Sequence, residues 1–251
     1  MLGARRTRLP GRAPPTRSRL PLQIQDVLLV APVLLFSVIA HEYAHGYAAL
    51  KQGDTTAQSL GRLTWNPIKH IDPFMTIILP AVLFYTTGGR IVLGGAKPVP
   101  VNPRNYRNFK RGDIIVSLAG VTVNLLIALL ATIVFVLVGL LGRVVPAVET
   151  TLAIMQAMMV LAVQLNLLLL AFNLIPIPPL DGSHVVKYIL PLRLAVWYQQ
   201  VGRYGIVILV VLLSFGGGLL NTWLAPAFSL GRVLLQWADP FKLPSLPQWL
   251  T

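Results

Sequence analysis

The chain has 251 residues, 55% hydrophobic and only 12% charged, with mean hydropathy +0.70. A soluble domain carries about 25% charged residues, so the composition excludes an ordinary soluble fold and predicts an all-α polytopic membrane protein. The net charge is +13, but the basic residues lie between apolar runs without interleaved aromatics, so lipid headgroups rather than nucleic acid account for them. With no cysteine, a zinc site has only His and carboxylate to use.

Residues 1–21 form a basic arm with Arg5, Arg6, Arg8, Arg12, Arg17 and Arg19. The arm has no apolar periodicity and is expected to be disordered. Residues 22–50 predict the first spanning helix, about 30 Å of apolar sequence with Pro32 inside it. It ends in His41-Glu42-Tyr43-Ala44-His45. Residues i and i+4 share a helix face, so His41 and His45 can grip one metal ion. Glu42 then lies beside the metal, where a general base takes a proton from water. Imidazoles and a carboxylate are costly in hydrocarbon and mark a functional site. The competing reading is a helix end emerging among the headgroups.

Residues 51–72 read as a polar connection rich in turn signals, with His70 and Asp72 organising a surface loop rather than binding metal. The apolar stretch 73–95 is broken by Pro80 and by Gly88-Gly89 and Gly94-Gly95. Its unbroken part, 74–85, is short for a span and predicts a re-entrant element. Alternating prolines at Pro98, Pro100 and Pro103 keep the next stretch extended, so 73–103 forms one re-entrant and extended segment.

Residues 113–142 and 150–175 predict two more spans. Gly120 in the first lets a neighbour approach closely, with Asn124 one turn on. The second runs into Asn173-Leu174-Ile175-Pro176-Ile177-Pro178-Pro179-Leu180-Asp181-Gly182. The prolines stop the helix, and the extended chain delivers Asp181 back as a candidate third ligand. An Asx turn at Asp181-Gly182 is the simpler alternative, and His184 is a rival ligand. Residues 183–204 are expected at the surface. A fourth span over 205–223 is loosened by Gly216-Gly217-Gly218 and followed by an amphipathic 224–238. Trp223, Trp237 and Trp249 suit an interfacial belt. The chain thus divides into the arm 1–21, a core 22–204, and a further helix with an amphipathic tail over 205–251.

HEYAH, AGVTVN and NLIPIPPLDG in this order resemble the site-2 protease family of intramembrane metalloproteases, over roughly residues 25–200. GRLTWNPIKHIDP and AKPVPVNPRNY are similar to its small bacterial branch without a PDZ domain. The resemblance implies one zinc per chain, held by His41, His45 and Asp181, with Glu42 as catalytic acid/base. Asn124 and Asn173 match positions thought to line the active site. The motif match favours Asp181 over His184. Implied too are substrates that are membrane proteins with a transmembrane helix, and a place in the bacterial inner membrane. A catalytically idle scaffold predicts loss of Glu42 or a ligand, and all are retained. A metal transporter predicts further polar residues along the spans, and 125–141 and 205–213 carry almost none.

For His45 and Asp181 to share an ion, an even number of crossings must separate them. Spans 113–142 and 150–175 supply two, so 73–95 cannot cross. The loops on the site side then carry Lys51, Arg62, Lys69, Lys97, Arg104, Arg107, Lys110, Arg111, Lys187, Arg193 and Arg203. By the positive-inside rule that side is cytoplasmic, although the same rule sets the arginine-rich arm against this orientation.

Overall fold

A computed structural model describes residues 24–86 and 94–247. The basic arm, Gly88-Gly89 and Trp249 lie outside them. The described chain is helical and contains no strand. Four helical runs are long and apolar enough to cross a membrane, judged by length and composition.

Helix α1 (Ile24–Gln52) carries HEYAH in its second half. After a short α2 (Thr56–Ser59) the chain reaches six residues of π-helix at Pro73–Ile78 and then α3 (Leu79–Thr86). Asp72 caps this run by accepting from the amides of Phe74 and Met75. The chain's return is pinned to its departure. Gly95 N donates to Met75 O, Thr76 Oγ1 donates to Gly95 O, and Lys97 N donates to His70 O. An excursion that starts and ends at one place does not change sides, as the even-crossing argument requires.

Helix α4 (Phe109–Val144) is the hub. At 36 residues it is about 54 Å long, well beyond an apolar layer of about 30 Å. It packs against α1, against α5 (Glu149–Asn173), and against α6 (Asp181–Val186). Lipid offers no hydrophobic drive to bring helices together, so close packing needs small side chains. The α4–α5 interface supplies them in Ala128, Ala131, Ala153 and Ala157, all buried. Two buried amides add cross-links. Asn166 on α5 donates to Ser37 Oγ on α1 at 2.8 Å, and Gln156 donates to the carbonyls of Phe135 and Phe241.

Two expectations shift beyond the site. The fourth spanning run is Leu192–Phe215, not 205–223. It comprises α7 (Leu192–Val201), a single turn and α8 (Gly205–Phe215). Arg193 lies in the first turn of this run, and Arg203 lies in the single turn between its two helices. These two arginines therefore belong to the run itself rather than to a site-side loop. The run stops at Gly216, the C-cap of α8, since glycine is costly inside a helix. Residues 217–223, expected to finish that span, instead open α9 (Gly217–Ala238) and join the amphipathic segment in one helix. Its Leu224, Ala227 and Gly231 pack inward, with Gly231 beside Leu167 of α5.

Candidate metal centre

His41 and His45 stand one turn apart on α1, facing α4. Each imidazole is fixed through its Nδ1. His41 Nδ1 lies 2.8 Å from Asn124 Oδ1, and His45 Nδ1 lies 2.7 Å from the carbonyl of Val116. A carbonyl only accepts, so the His45 proton sits on Nδ1 and the Nε2 lone pair is left to face inward. Asn124 can hold His41 in the same tautomer with its carbonyl oxygen. This is the usual way a protein orients metal-binding imidazoles.

Asp181 arrives from α5 by the proline-rich route. Helix α5 ends at Asn173, and Leu180 precedes α6 in extended conformation. Gly182 then packs against the Leu174 backbone so closely that a Cβ there would lie 2.2 Å from its carbonyl oxygen. That approach folds the loop back and presents Asp181 to α1.

His41 Nε2 and His45 Nε2 are 3.0 Å apart, and Asp181 Oδ2 lies 3.2 and 3.4 Å from them. Tetrahedral zinc with ligand bonds of about 2.0 Å separates its ligand atoms by about 3.3 Å, so the triangle has the size zinc requires. Asp181 Oδ2 is buried and makes no hydrogen bond. It lies near the histidines but outside hydrogen-bonding directions, as expected of an oxygen aimed at a cation. Among the described residues this is the one group of three or more such side chains suited to a metal. The donor set of two imidazoles and a carboxylate fits zinc and leaves a fourth position free.

Glu42 follows His41 on α1. Its Oε2 accepts from Val99 N at 2.8 Å. Pro98 and Pro100 have no amide, so Val99 is the sole backbone donor across 98–100, and it is aimed at Glu42. The extended stretch is anchored at both ends. Arg62 donates to the carbonyls of Lys97 and Pro98, and Asp54 accepts from Asn102 N.

The remaining candidates fall elsewhere. Asn173 donates to Leu169 O one turn back on its own helix. His184, the rival ligand, turns away to Asp113. His70 donates to Thr64 O, a loop role like that of Asp72. Three contributors escaped the sequence reading or were undervalued: the Val116 carbonyl, Gly120 behind both imidazoles, and Asp113. The signal for Asp113 was available, since an acid in the first turns of a membrane helix is costly without purpose.

A family model described as Peptidase family M50 matches residues 29–216. A Bacillus subtilis relative named as zinc metalloprotease YwhC is 35% identical over 212 residues, covering 84% of this chain and 90% of the relative. Relatives named as zinc metalloprotease Rip2 are 32% identical in Mycolicibacterium smegmatis and in Mycobacterium tuberculosis. The first alignment covers 78% of this chain and 70% of that relative, the second 75% and 67%. No solved structure matches. With a zinc-sized ligand triangle set among spanning helices, this multi-pass membrane chain belongs to Peptidase family M50, the site-2 protease family, and is a zinc metalloprotease.

Proposed function

We propose that the chain is an intramembrane endopeptidase that cleaves transmembrane segments of membrane-protein substrates. The supporting observation is the convergence of His41, His45 and Asp181 at the site-side ends of apolar helices, with Glu42 adjacent in sequence. In this reading the three residues hold zinc. When bound, zinc supplies a Lewis acid that lowers the pKa of water to about 7 and polarises a carbonyl. Glu42 takes the proton from the attacking water and returns it to the leaving amine. Asn124 keeps the His41 ring oriented, and its unpartnered Nδ2 is a spare donor near the reaction.

A transmembrane helix hides its amides in i→i−4 bonds, so the substrate must unwind locally. The anchored stretch at 96–103 offers an extended edge for the unwound backbone. The Val99 amide engages only Oε2 of Glu42, which leaves the second carboxylate oxygen to take the proton. The active site faces the cytoplasm, in line with Lys51, Arg62, Lys69, Lys97 and Lys187 on its side.

The test uses purified chain in liposomes with a fluorogenic transmembrane peptide carrying a Gly-Asn pair at mid-helix. Cleavage that disappears with Glu42→Gln while zinc content stays at one per chain supports the reading. Cleavage that survives Glu42→Gln rejects it.

A further inference from the structure

Helix α6 carries Asp181 but has six residues. A helix that short does not hold itself together in isolation, and the proline-rich chain before it lacks a hydrogen-bond ladder. The approach of Gly182 to Leu174 seats the first turn of α6, and a second contact must hold its far end. The structure offers one strong candidate, Asp113 on α4, which is 2% exposed.

The Asp113 carboxylate gathers three side chains from the far end of α6 and the turn after it. Lys187 Nζ is 2.6 Å from Oδ2, Tyr188 OH donates to Oδ2 at 2.9 Å, and His184 Nδ1 is 3.2 Å from Oδ1. Lys110 and Lys187 also lie over the Tyr188 ring. His184 is three residues beyond Asp181, one helical turn away, so fixing it fixes the ligand's helix. Helical geometry sets Asp113, Gly120 and Asn124 within about 20° of one line along α4. The same helix face therefore backs the histidines and grips the element that brings the carboxylate.

We propose that Asp113 is the positioning residue for the third ligand, acting through Lys187, His184 and Tyr188 to hold Asp181 against His41 and His45. This rests on the assignment of Asp181 as a ligand. The physical case is charge. A buried carboxylate persists when paired, and removing it strands the half-buried Lys187 ammonium. Helix α6 then relaxes toward solvent, taking Asp181 with it.

The experiment compares wild type, Asp113→Asn, Tyr188→Phe and Asp181→Ala as full chains in detergent. Zinc affinity is read by competition with a chromophoric chelator. Coordination geometry is read from the visible bands of the cobalt-loaded chain. Asp113→Asn is expected to weaken zinc about 10-fold or more and to alter the cobalt bands. Zinc affinity within twofold of wild type, with unchanged bands, overturns the proposal. If Asp113→Asn does not yield folded chain, Tyr188→Phe decides: a several-fold loss with altered bands supports the clamp, and wild-type behaviour overturns it. Wild-type affinity in Asp181→Ala overturns the ligand assignment and the proposal with it. Loss in Asp181→Ala beside wild-type behaviour in Asp113→Asn overturns the proposal alone.

Discussion

Gly120 lies so close to His45 that a Cβ built on it would stand 2.5 Å from Nε2, one of the three candidate ligand atoms. The same Cβ would be 2.5 Å from Cε1 and 2.7 Å from Nε2 of His41. One methyl would push into the space where three ligand atoms converge. Gly120→Ala is therefore expected to abolish zinc binding and proteolysis while leaving the fold intact. Alanine gains about 1 kcal/mol over glycine inside a helix, so thermal unfolding of the zinc-free chain should not fall. Zinc content and a melting curve check both halves, and an alanine variant with full zinc would refute the close approach.

Asn124 is fully buried, and its side-chain oxygen bonds His41 Nδ1. Asn124→Ala removes the acceptor that fixes the imidazole but leaves all three ligands in place. Zinc affinity should drop about 10- to 100-fold, the usual cost of losing such a partner, and proteolysis should return in excess zinc. An unchanged dissociation constant would show that α4 packing alone orients the ring.

The candidate site was legible where its geometry is local. His41 and His45 are joined by helical spacing, and the prolines before Asp181 announce a rigid return of the chain. Composition also carried the spans at 113–142 and 150–175 close to their observed limits. What the sequence hid were pairings across large separations. Nothing local joins Val116 to His45, Asp113 to Lys187, or Val99 to Glu42. Each depends on how α4 and the extended stretch lie against other elements. The fourth span was misplaced because Arg193 and Arg203 look like loop residues, whereas Gly216 sets the helix end.

The absence of cysteine makes the topology directly testable. Single cysteines at Ser59, Arg104 and Ile189 should all react with an impermeant thiol reagent from one side of an intact membrane, and one at Pro146 from the other. The Pro146 position lies in the connection between α4 and α5. The pinning of Gly95 to Met75 requires Ser59 and Arg104 to agree. Labelling of those two from opposite sides would mean that the segment between them crosses, and that the shared ligand group is assembled some other way.

Asp54 gives a pH dependence with a defined sign. It is fully buried and accepts from Thr56, from Asn105 and from the backbone of Asn102, tying the end of α1 to the end of the extended stretch. Burial alone would raise its pKa, but the donors outweigh burial and hold it below the ordinary 3.8. The folded chain thus binds this proton less readily than the unfolded chain. The resulting stability is present above the ordinary carboxyl value and is lost as pH falls through the folded one. Asp54→Asn should lower the melting temperature at pH 7, since an amide NH2 would face donors at a cost of about 1–3 kcal/mol. The gap between wild type and variant should narrow as pH drops below 3.8. Melting curves in detergent from pH 7 to pH 3 measure this, and a gap that stays constant with pH would remove Asp54 as the titrating tie.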